Sequence, residues 1–148
     1  MSYGFVYMLH NRHMTCFKIG CTERSPHARA EELSKPTGVP SPFIVACYLE
    51  TKDFQDIERR MHGWLAEYRL NEQREFFDDT GACHAVALMY HWIGKLSFAV
   101  ADHGYLSELL SGRPVSEIYN PWKPAAPAPE AEEAPALRVV GGSARGFD

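Results

Sequence analysis

Two seven-residue runs near the start of the chain, GFVYMLH (Gly4–His10) and CFKIGCT (Cys16–Thr22), alternate between faces and are separated only by the turn-like NRHMT. β-Prone residues at a period of two suit a pleated strand, and so short a connection predicts an antiparallel hairpin. Placing Val6 opposite Ile19, Tyr7 opposite Lys18 and Met8 opposite Phe17 separates the apolar and polar faces. A two-residue slip keeps that parity, whereas a slip of one mixes the faces. Tyr7 and Lys18 are therefore expected to share a face.

Beyond the hairpin, Ser25 and Pro26 read as a helix cap and first helical residue, opening a short helix through Arg29 and Leu33 that stops before Pro36. The loop KPTGVPSP follows, and then FIVACYL (Phe43 to Leu49) reads as a third strand buried on both faces. Asp53 is placed to cap a helix whose apolar residues Phe54, Ile57, Met61, Leu65 and Tyr68 recur every three or four positions. Glu58 flanks that stripe, with His62 one turn further along. After the polar break at Asp78–Gly81, Ala82 to Leu96 reads as another helix, with Val86, Met89, Tyr90 and Ile93 on one face.

From Trp122 the chain is Pro-, Ala- and Glu-rich without period, as expected of a disordered tail. Three regions follow: a domain over 1–80, a helical extension over 81–121, and the tail over 122–148. The expected fold is a small α/β (α+β) domain with a three-stranded, largely antiparallel sheet flanked by helices and an added C-terminal helix.

The formal charge of −4 excludes nucleic-acid binding by bulk positive field, so any phosphate contact must come from local cations. Residues 1–80 alone carry ten Lys plus Arg against twelve Asp plus Glu, a balance of −2. The four cysteines, Cys16, Cys21, Cys47 and Cys83, form no CxxC pair, and a reducing, intracellular setting is expected. Cys16 and Cys21 fall on opposite strand faces, which disfavours zinc. The first ten residues lack a signal peptide's basic and apolar regions, and the longest apolar stretch is broken by His91 and Lys95. A cytoplasmic protein without a membrane segment is expected.

The segments FVYMLHN, FKIGCTERSPHARAEELS, TGVPSPF, ERRMHGWLAEYRLN and REFF, in that order, resemble the GIY-YIG nuclease superfamily over roughly Tyr3 to Asp79. More narrowly they resemble its phage-associated and meiotically up-regulated (Mug-type) branch. The resemblance implies an endonuclease that hydrolyses DNA phosphodiesters with one divalent metal, Mg2+ or Mn2+. By position, Tyr7 matches the tyrosine of GIY, Lys18 the first residue of YIG, Arg29 the helical arginine and Glu58 the metal-binding glutamate. His62, Arg69 and Asn71 are substrate-binding candidates, with Asn71 matching the superfamily's late asparagine.

The chemistry of those residue types agrees. Hydrolysis of a phosphodiester needs an activated water, neutralisation of charge on the phosphoryl oxygens and help for the leaving group. A carboxylate at Glu58 is a hard ligand for magnesium, which retains several waters. Tyr7 becomes a base when a neighbouring cation favours phenolate, and the fork of Arg29 suits a phosphate.

Each residue also has a plainer reading. Tyr7 can be packing and Lys18 a solvent-facing strand residue; Arg29 can simply pair with Glu32; His62 can be a partly buried helix residue. Arg24 rivals Arg29, and Glu75 is a second acidic candidate. Two departures from the superfamily pattern, KIG in place of YIG and Leu33 where a His or Tyr is common, keep open a catalytically silent module that binds nucleic acid. His10, His13 and His27 read as loop and surface residues, and the 82–96 helix offers a surface to a protein partner.

Overall fold

The computed structural model describes residues 3–35, 41–70, 76–93 and 97–121. The hairpin forms as β1 (Gly4–His10) and β2 (Cys16–Thr22). Its register is the parity-conserving alternative, two residues from the favoured one: Val6 lies opposite Cys21, Tyr7 opposite Gly20, Met8 opposite Ile19, and Lys18 opposite Leu9. The apolar pattern repeats every two residues, so it fixes which face each residue takes but not this offset.

Ser25 caps α1 (Pro26–Leu33), its hydroxyl accepting from the amides of His27 and Ala28. The third strand, β3 (Ile44–Thr51), pairs antiparallel with β1 across a register shift between Met8 and Leu9. Next comes α2 (Phe54–Trp64), where Asp53 makes no side-chain cap bond, contrary to the expectation. That helix is held by its buried Phe54, Ile57 and Met61 instead, each large apolar side chain contributing about 1.5–3 kcal/mol on burial. Tyr68 falls beyond α2, in a 3-10 turn over Ala66–Tyr68.

The sheet is five-stranded, not three-stranded. Two three-residue strands, β4 (Phe76–Asp78) and β5 (Phe98–Val100), extend it to the order β4-β2-β1-β3-β5, antiparallel throughout. Neither is long enough to show a period in sequence, and each is fixed by a partner remote along the chain. The fold is α+β, with α3 (Ala82–Ile93) and α4 (His103–Leu109) completing four helices.

One sheet face carries the larger core, where Val6, Met8, Phe17 and Ile19 meet α2, α3 and Leu106 of α4. The other packs Tyr7, Leu9 and Val45 on Ala30 of α1, with Leu33 against them. Ala85, Val86, Leu88, Met89 and Tyr90 of α3 are buried, so these residues pack within the chain itself. The region 81–121 supplies a strand as well as helices. The tail over 122–148 lies outside the described residues, and no helix among those described is long and apolar enough to cross a membrane.

Candidate functional site

Three elements converge at the edge of β2. β4 pairs with β2 only from Cys16 to Lys18, which leaves the rest of β2 without a neighbour on that side among the described residues. His62 of α2 covers the next position, its Nε2 donating to the Ile19 carbonyl at 2.9 Å. A carbonyl only accepts, so Nε2 carries a proton in this contact.

Tyr7 reaches the same edge from the opposite sheet face. It is 1% exposed, and its ring crosses Gly20: a Cβ built there would lie 2.5 Å from the Tyr7 hydroxyl and 2.7 Å from Cζ. The glycine of KIG is thus a gap through which the phenol passes to the edge.

An open cleft of about 840 Å³ results, lined by Tyr7, Cys21, Arg29, Gln55, Glu58, Arg59, His62, Gly63 and Arg69. Tyr7, Arg29, Glu58, His62 and Arg69 were all singled out from sequence, although they come from β1, both flanking helices and the segment after α2. Glu58 is held low in the cleft, its side chain 17% exposed, with Oε2 3.7 Å from His62 Nε2. Arg29 hydrogen-bonds Glu32 and the Tyr7 phenol, and those bonds, in that order, raise its pKa further. The guanidinium of Arg69 lies over the Phe77 ring at 5.9 Å, a cation–π contact that steadies its long stem.

Lys18 does not line this cleft. It shares the Tyr7 face, but its Nζ sits 5.5 Å from the Phe76 ring centroid. Arg24, the rival arginine, is exposed and pairs with Glu32. Asn71 and Glu75 lie outside the described residues. Gln55 and Arg59 line the cleft as well. They stand with Glu58 and His62 at helical intervals of three and four, which makes one stripe of α2.

Other sequence expectations resolve differently. His10 is not a loop histidine: it ends β1 and pairs with Asp102 at 2.9 Å, its ring stacked on Tyr105 at 3.8 Å. A second cleft of about 680 Å³, between α1, β3 and the start of α4, is lined by His27 but by none of the candidate catalytic, substrate-binding or metal residues. The four cysteines are free.

A divalent ion can be tested against the donors present. Among the described residues no three His, Cys, Asp or Glu side chains gather as a cation site. One carboxylate opening on a roomy cleft fits a hard, largely hydrated ion such as magnesium rather than a protein-caged metal. Glu58 would hold it, with the Tyr7 oxygen on the same cleft.

A protein-family comparison matches residues 4–96 to the T5orf172 domain, a GIY-YIG-related nuclease-like domain. No curated protein and no solved structure matches the chain.

Proposed function

The chain belongs to the T5orf172 domain family, and from that premise we propose that it is a metal-dependent endonuclease that hydrolyses DNA phosphodiesters at the β2-edge cleft. The observation that carries this reading is the meeting of Tyr7, Arg29, Glu58, His62 and Arg69 on one cleft. A phenol, a carboxylate and two guanidinium groups are the chemistry that phosphoryl hydrolysis requires. The finer Mug-type assignment rests on Lys18 in KIG and on the REFF segment.

In this reading Arg29 and Arg69 bind phosphate oxygens through their planar forks. Tyr7 Oη takes the proton of the attacking water, the Arg29 cation beside it favouring the phenolate. Glu58 would hold magnesium or manganese, which when bound supplies positive charge to a phosphate oxygen and a more acidic water. His62 keeps Nε2 on the Ile19 carbonyl and thereby fixes the wall beside Glu58. Lys18 adds positive field from outside the cleft. With a net charge of −4, the protein is expected to favour distorted or branched DNA, where shape adds to a weak electrostatic attraction.

The test is nicking of supercoiled and branched DNA by the purified full chain with magnesium, manganese or chelator, beside folded Glu58→Ala and Tyr7→Phe variants. Cleavage that requires metal and is lost in both variants supports the proposal. DNA binding without cleavage on either substrate would replace it with a silent binding module, the reading favoured by Leu33, which packs against the Tyr7 cluster instead of offering a polar group.

A further inference from the structure

We propose that Glu32 is a positioning residue that locks Arg29 toward Tyr7 and the cleft, with Arg24 bracing Glu32 from outside. The inference rests on the cleft being the site of phosphodiester chemistry, as argued above.

The geometry is a chain of four groups. Arg24 Nη1 donates to Glu32 Oε2 at 2.6 Å, and its Nη2 donates to Oε1 at 2.8 Å. The same Oε1 accepts from Arg29 Nη1 at 3.1 Å, and Arg29 in turn hydrogen-bonds the Tyr7 phenol. Arg24 thus grips the carboxylate as a fork, and the carboxylate holds one corner of the Arg29 fork. An arginine on a flexible stem loses rotamer freedom whenever it clamps a ligand. Fixing it beforehand aligns the phosphate-facing donors with the charge that builds on the phosphoryl oxygens in the transition state, so the benefit falls on kcat more than on binding.

A single i,i+3 pair on an exposed helix would be an unremarkable surface contact. Two observations argue for more. Glu32 serves two arginines at once, and only Arg29 of the pair lines the cleft. The carboxyl is drawn down to about 2 by hydrogen bonds from Arg24 first and Arg29 second, so it carries its charge at neutral pH.

The competing possibility is that Glu32 occupies Arg29 in place of a phosphate and restrains the site. The two differ in sign. Glu32→Gln keeps the size and one acceptor but removes the charge shared by the two arginines. Positioning predicts a kcat lowered about ten- to a hundredfold with KM changed less than about twofold, and a smaller loss in the same direction for Arg24→Ala. Glu32→Asp should recover part of the rate. Arginine side-chain NMR of the full-length protein supplies a readout independent of turnover: the Arg29 Nε–H signal, assigned with Arg29→Lys, should lose dispersion and exchange faster in Glu32→Gln. An unchanged or raised kcat, or an Arg29 signal identical to wild type, would overturn the proposal. Absence of metal-dependent cleavage in the wild type overturns the nuclease reading, while the NMR arm still decides whether Glu32 holds Arg29.

Discussion

Gly20→Ala is the substitution that tests the seat of the Tyr7 phenol most directly. The added Cβ would stand 2.5 Å from the Tyr7 hydroxyl, where ordinary contact begins at 3.4 Å, so the ring must retreat by about the difference of 0.9 Å. Tyr7 is fully packed among Leu9, Ala30 and Val45, and forcing a side chain off its seat in such a core costs about 1–3 kcal/mol. The same shift moves the phenol relative to Glu58 and Arg29, and a displacement near 1 Å at a reacting group costs about a hundredfold in rate. Urea denaturation and DNA nicking would be measured on wild type, Gly20→Ala, Tyr7→Ala and the double variant. In the Tyr7→Ala background the clash is gone, and Gly20→Ala should become stabilising by about 0.5–1 kcal/mol, because alanine loses less chain entropy in a strand than glycine. A Gly20→Ala protein as stable and active as wild type, or a penalty that persists without the ring, would refute the reasoning.

Two further expectations concern stability. His84 is 3% exposed, neither ring nitrogen has a hydrogen-bond partner among the described residues, and burial lowers its pKa below the ordinary value. As pH falls through about 6.5 the unfolded chain takes up a proton that the folded chain refuses. Stability should therefore drop on acidification, and His84→Leu should flatten that drop, as read from urea midpoints at pH 7.5 and 5.5. Asp102 caps α4 through the Tyr105 amide at 3.1 Å and holds His10; Asp102→Ala should cost about 1–2 kcal/mol and speed hydrogen exchange in α4 ahead of the sheet.

Patterns that repeat locally were legible in the sequence. The hairpin, the Ser25 cap and the buried stripe of α2 each follow from a few adjacent residues. The offset of the hairpin was not, because a period of two cannot distinguish Lys18 from Gly20 opposite Tyr7. That difference moved Lys18 out of the cleft and gave Gly20 its role as the gap under the phenol. Strands β4 and β5 escaped because three residues carry no period. The His10–Asp102 pair escaped because its members stand 92 positions apart, with nothing in either neighbourhood to mark the other. Three of the five predicted residues that meet in the cleft, Tyr7, Arg29 and Glu58, were found through the order of motifs, and their convergence depended on an open sheet edge that no single motif encodes.

The sheet does not end where the family match ends. Residues matched to the T5orf172 domain stop at 96, but β5 begins at Phe98 and covers the outer side of β3, and Leu106, Leu110 and Ile118 belong to the main core. A chain stopped at residue 96 would bare the β3 edge, a row of unpaired amides and carbonyls beside newly exposed apolar side chains. Such an edge is a template for pairing with another molecule. The segment past the family boundary therefore closes that part of the β3 edge and completes the core.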